Sequence, residues 1–105
     1  MLRGDVYRLR LPKGSGHEQS GHRYAVVVQS DVLMPSSTVA VVPTSRSARA
    51  ASFRPEALVA DEPARLLVEQ LRAIDAQRLG RRVGHLTVEE MWAVDEALEL
   101  VLGLG

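Results

Sequence analysis

The sequence predicts a mainly β protein, a small antiparallel barrel or sheet closed by one C-terminal helix. Three observations carry that prediction: apolar and polar residues alternate with period two over residues 5–11, valine-rich runs recur at 24–29 and 38–44, and residues 88–102 switch to helical spacing. At 105 residues the chain makes one domain spanning 1–105, with room for a single modest core.

The first strand, Asp-Val-Tyr-Arg-Leu-Arg-Leu at 5–11, has the pattern of a strand with one wet face, and Pro12 and Gly14 stop it. The runs at 24–29 and 38–44 are apolar at consecutive positions, so both faces are buried. Residues 30–37, with Pro35 and three serines, read as a loop. A further strand is expected over residues 65–72 and a short one over 82–86, separated by a turn near 75–80. Residues 52–59 are a weaker strand candidate, which Pro55 assigns to an edge. The small-residue run 45–52, carrying Arg46 and Arg49, reads as a mobile loop. The helix begins with Thr87 as cap and Glu90 three residues later; Val88, Met91, Val94, Leu98 and Val101 form its apolar stripe, which Trp92 and Leu102 widen. Gly103 and Gly105 end it.

Composition narrows the chemistry. The chain has no cysteine, which excludes disulfides, thiol nucleophiles and cysteine-ligated metals. No apolar run approaches a membrane span and the N-terminus lacks the apolar stretch of a signal peptide, so a soluble, cytoplasmic protein is expected. A formal net charge of zero argues against nucleic-acid binding driven by bulk charge, while leaving room for a locally basic groove.

The densest polar segment is Gly16-His17-Glu18-Gln19-Ser20-Gly21-His22-Arg23, which runs directly into the valine strand at Tyr24. A loop carrying a carboxylate, two imidazoles and a guanidinium at the mouth of a buried strand is the first candidate for an active site. Each residue also has a plainer role. Arg23 can be a surface charge paired with Glu18, Thr44 an ordinary strand-end hydroxyl, and Glu69 and Gln70 the wet face of an edge strand. His17 and His22 can be solvated loop residues, although imidazoles titrate in the range useful for acid and base work. His85 reads as structural, and Trp92 as packing or interface rather than a base-stacking platform.

Arg3-Gly4-Asp5-Val6-Tyr7, the Glu18-Gln19 pair, Arg23 before a valine strand, Val42-Pro43-Thr44-Ser45, the segment from Glu69-Gln70-Leu71-Arg72 to Leu79, and Val94-Asp95-Glu96-Ala97-Leu98 occur in an order that resembles the MazF/PemK toxins. The resemblance implies an SH3-like barrel that forms a homodimer and cuts single-stranded RNA as an mRNA interferase, with no metal or other cofactor. It also implies a cognate antitoxin whose C-terminal segment fills the RNA groove. The family's catalytic positions fall on Arg23 and Thr44, with Glu18 in a loop that shapes the site. Candidate RNA contacts are His17, Gln19, Ser45, Glu69 and Gln70. The alternative is a non-catalytic barrel of the same type that inhibits a protein such as DNA gyrase.

The chemistry fits the assignment. When a 2′-hydroxyl attacks its neighbouring phosphate the phosphorane gains negative charge, which a forked guanidinium such as Arg23 is suited to meet. Arg23 is a poor base, since its pKa exceeds about 12, so Glu18, a histidine or the RNA itself must take the proton. Thr44 can donate to a phosphate oxygen, and Ser45 is an alternative donor. Three positions depart from the family pattern. Tyr24 follows Arg23 where proline is common, His17 replaces a small hydroxyl residue, and Pro63-Ala64-Arg65 occupies a region where relatives carry an RNA-binding serine.

Overall fold

The computed structural model describes residues 1–10 and 23–104. Among these residues the chain forms seven strands, β1 (Asp5–Leu9), β2 (Tyr24–Val27), β3 (Thr38–Ser45), β4 (Glu56–Val59), β5 (Glu62–Leu66), β6 (Arg72–Asp75) and β7 (Leu79–His85), followed by one helix, α1 (Val88–Leu102). The strands form a curled antiparallel sheet in the order β4-β5-β3-β2-β1-β7, with β6 added along β3. The mainly β class with a closing helix is as predicted.

The valine runs build the centre. Val26 and Val42 are completely buried on one face, where they meet Val94 and Ala97 of the helix; Ala25, Val27, Val39 and Val41 are buried on the other, against Ile74 and Leu79. Two clusters sharing the same strands explain why these runs do not alternate with polar residues.

The strand expected over 65–72 is instead two strands with a 3-10 turn, Val68–Gln70, between them. Both pair with β3: Leu66 lies opposite Thr44 and Arg72 opposite Val41, so six residues on this side cover three on β3. A pleated strand buries alternate residues, and Leu66, Leu67 and Val68 are all buried. The extra residues are taken up by the turn, and Leu66 and Val68 both reach the cluster under the helix.

Further corrections are smaller. β1 ends at Leu9 and β2 at Val27, earlier than expected, while β7 begins at Leu79 rather than Arg82. The candidate over 52–59 becomes β4, which is an edge strand with Pro55 just outside it. The capping box of Thr87 and Glu90 is present, and Gly103 closes the helix in the left-handed region at φ 69°. The buried stripe is narrower than expected: Met91, Val94, Leu98 and Val101 pack inward, whereas Val88, Trp92 and Leu102 are exposed. Trp92 therefore contributes no core packing.

The N-terminal residues are tied at the end of the sheet where β2 finishes. The Arg3 guanidinium donates to Val28 O at 2.8 Å and to Asp95 of the helix at 2.7 Å. The Asp5 carboxylate, 3% exposed, accepts from Leu2 N, from Arg82 Nε at 3.0 Å and shares a 2.7 Å bond with His85 Nδ1. His85 is thus structural, as expected.

Candidate active site

The site arises where β2 begins and β3 ends. Ala25 pairs with Pro43 in antiparallel register, so Arg23, immediately before β2, and Thr44 and Ser45, the last residues of β3, occupy the same end of two neighbouring strands. Such strands lie ~4.8 Å apart. Arg23 is exposed, and its carbonyl accepts from Leu9 N at 2.8 Å, which fixes the backbone that carries the guanidinium. Thr44 is half-buried beside Leu66 of β5. The two expected catalytic positions are brought to one rim.

Ser45 is committed differently. Its Oγ accepts from Ser47 N at 3.3 Å and Ala48 N at 3.1 Å, turning the chain out of β3. Its hydroxyl proton is still available to a ligand, but its acceptor capacity is used. The loop over 45–52, expected to be mobile, is tied at its start by this turn and at Arg49, whose carbonyl accepts from Arg54 at 3.2 Å.

Glu69 sits in the turn between β5 and β6. Arg54 donates to its Oε2 from Nε at 2.9 Å and from an Nη at 2.6 Å. That guanidinium holds the Glu69 carboxyl below its usual value of 4.5, against the opposing effect of burial. Glu69 is therefore held within the fold instead of lying on a wet edge, while Gln70 beside it is exposed. His17, Glu18, Gln19 and His22 lie outside the described residues, on the segment that leads into Arg23.

Two neighbours escaped the sequence reading. Tyr24 pairs with Arg8 of β1, and the Arg46 guanidinium lies over the Tyr24 ring, 5.9 Å from its centroid. Arg46 also donates to Val59 O at 3.0 Å and Pro63 O at 3.3 Å and lies 3.6 Å from a Glu62 oxygen. The available signal was adjacency, since Arg46 follows Thr44 by two residues, just past the end of β3.

The rim is basic despite the neutral chain. The helix carries five carboxylates and no basic residue, leaving thirteen basic residues against eight acidic ones elsewhere. Arg8 lies opposite Tyr24 in register, Arg23 precedes it, and the Arg46 guanidinium lies over its ring. An exposed guanidinium, a hydroxyl and a local excess of cations can bind a phosphodiester and stabilise added charge on it. Among the described residues no cluster of His, Cys, Asp or Glu could hold a metal ion.

Comparison with known proteins places this arrangement. The chain is 45% identical over 106 residues to the candidate toxin Rv3098A/RVBD_3098A of Mycobacterium tuberculosis, covering 99% of both chains. It is 36% identical over 109 residues to endoribonuclease EndoA of Bacillus subtilis, covering 97% of this chain and 94% of that one. In fold it is similar to a mycobacterial endoribonuclease solved in complex with its cognate antitoxin, with TM-score 0.82 and 22% identity over 100% of this chain and 97% of the other. It is also similar to MazF in a MazE-MazF crystal structure from Deinococcus radiodurans, with TM-score 0.79 and 21% identity over 100% and 97% of the two chains. The profile of the PemK-like, MazF-like toxins matches residues 2–102. With that match running through both strand ends of the rim, the chain belongs to the PemK-like, MazF-like toxin family of type II toxin-antitoxin systems.

Proposed function

We propose that this chain is a metal-independent endoribonuclease that cuts single-stranded RNA, and so inhibits translation and growth, at the rim where β2 begins and β3 ends. The observation that carries the reading is the juxtaposition of Arg23 and Thr44 on adjacent strand ends in a chain 36% identical to EndoA. The 2′-oxygen forms a bond to phosphorus while the bond to the 5′-oxygen breaks, leaving a 2′,3′-cyclic phosphate and a 5′-hydroxyl that takes up a proton. Arg23 meets the charge that builds on the non-bridging oxygens, and the Thr44 hydroxyl donates to one of them.

The proton on the 2′-hydroxyl goes to Glu18, His17, His22 or an RNA oxygen. Among the described residues, Glu62 and Glu69 face arginines, and His85 pairs with Asp5 at the far end of β1. Glu69 and Gln70 extend the RNA groove along β3, Glu69 by holding its turn and Gln70 by direct contact. The protein acts as a homodimer in the cytoplasm, and a cognate antitoxin blocks the same groove with its C-terminal segment, as the mycobacterial relative is solved with its own antitoxin.

The test is to incubate the purified protein with long RNA in EDTA and map new 5′ ends. Discrete cuts bearing 5′-hydroxyls, abolished by a single 2′-deoxy substitution at the cut, are expected. An intact RNA would instead favour a non-catalytic toxin acting on a protein target.

A further inference from the structure

Arg46 is bound in an unusual way. Two of its donors are used in the guanidinium plane by backbone carbonyls, Val59 O and Pro63 O, which flank the two-residue turn joining β4 to β5. Its Nε faces Glu62. Its guanidinium carbon lies over the Tyr24 ring, 5.9 Å from the centroid, and Tyr24 itself packs against the core cluster below. The Arg46 side chain nonetheless remains 38% exposed. With those donors engaged and the Tyr24 ring beneath it, the guanidinium keeps solvent-exposed surface.

We infer that Arg46, held over Tyr24, forms a preorganised shelf on which an RNA base adjoining the scissile phosphate stacks. This deepens the ribonuclease reading and rests on it for the identity of the ligand. A guanidinium plane stacks on bases as aromatic rings do, without regard to base identity. Arg46 follows Thr44 by two residues, just past the end of β3, so its Cα lies within about 7 Å of that of Thr44, within reach of the neighbouring nucleotide. Ordering is already achieved in the free protein: two carbonyls and an aromatic ring hold a side chain that otherwise has high rotamer entropy, so a base meets a surface that need not reorganise. Tyr24 supplies the ring under Arg46, so the shelf assigns part of this chain's RNA preference to the pair Tyr24 and Arg46.

The experiment measures binding, so that it reads the shelf whether or not RNA is cut. The probes are a short single-stranded 2′-O-methyl RNA, which cannot cleave itself, and the same backbone with its bases removed. The intact protein should bind the base-bearing probe on the order of 10- to 100-fold more tightly than the abasic one. Arg46→Lys, which keeps the charge without the plane, should lose most of that ratio while still binding the abasic backbone at full strength. Tyr24→Leu, which leaves the Arg46 carbonyl bonds in place, should lose part of it. A base-dependence ratio unchanged in both variants, or no preference for bases in the intact protein, overturns the shelf. Cleavage of unmodified RNA, assayed in parallel, tests the ribonuclease reading separately: an uncut RNA with an Arg46-dependent ratio leaves the shelf standing and removes the enzyme.

Discussion

Thr44 offers one polar atom to the rim and otherwise packs beside Leu66. Thr44→Val keeps the shape and deletes that donor. We expect it to lower kcat by ~10²-fold, the effect of losing one donor to developing charge, and single-turnover cleavage measures it; an unchanged rate reduces Thr44 to a packing residue. Glu69 gives the opposite kind of case. Its carboxylate is engaged by Arg54, so Glu69→Gln should destabilise the fold by about 1–2 kcal/mol, seen in urea unfolding. A direct RNA contact would instead raise KM with stability intact. The strand-end positions of Arg23 and Thr44 were legible because an apolar run marks each strand, whereas the roles expected of them came from the family resemblance. The Glu69 pairing was not, because Arg54 lies fifteen residues away across the β4–β5 hairpin and no local pattern links them. Glu18 and His17 lie outside the described residues, and their roles rest on the sequence alone.

At the scale of elements, the two-residue turn between β4 and β5 places Ala60 at φ 51° and Asp61 at φ 67°. A left-handed pair suits the twist of a hairpin, but alanine meets a steric cost there that glycine does not. Ala60→Gly should therefore raise stability by up to about 1 kcal/mol, measured as a higher Tm; a lower Tm would show that chain entropy outweighs the strain. At the helix start, Thr87→Ala removes an acceptor for Glu90 N and should cost about 1 kcal/mol, read in the same unfolding experiment. The limits of the helix were legible because cap, apolar spacing and terminating glycine agree, although its buried stripe is narrower than the apolar residues suggest. The break between β5 and β6 was not, since Leu66, Leu67 and Val68 look like a continuous buried strand and the surplus residues opposite β3 show only in the register.

Across the whole molecule, neutral net charge conceals an acidic helix set on a basic sheet, and this polarity reconciles the composition with a polyanionic substrate. Two carboxylates also link the fold to pH. Burial alone would raise the Asp5 carboxyl, but bonds from His85, Leu2 N and Arg82 together outweigh it and hold it below 3.8, while Arg54 lowers Glu69. A carboxyl depressed in the folded state stabilises the fold above its unfolded pKa and loses that contribution as pH falls through the folded one. Stability should be level near neutral pH and decline below about pH 4, and Asp5→Asn should flatten part of that decline; an identical acid profile in the variant would show that Asp5 is not linked to folding. The central claim is that Arg23 supplies charge at the reacting phosphate. Its most direct test is single-turnover cleavage of a mapped RNA in EDTA by Arg23→Ala, with circular dichroism and RNA binding measured alongside. A folded variant that still binds RNA but has lost cleavage is the predicted result, and cleavage at the original rate would contradict it.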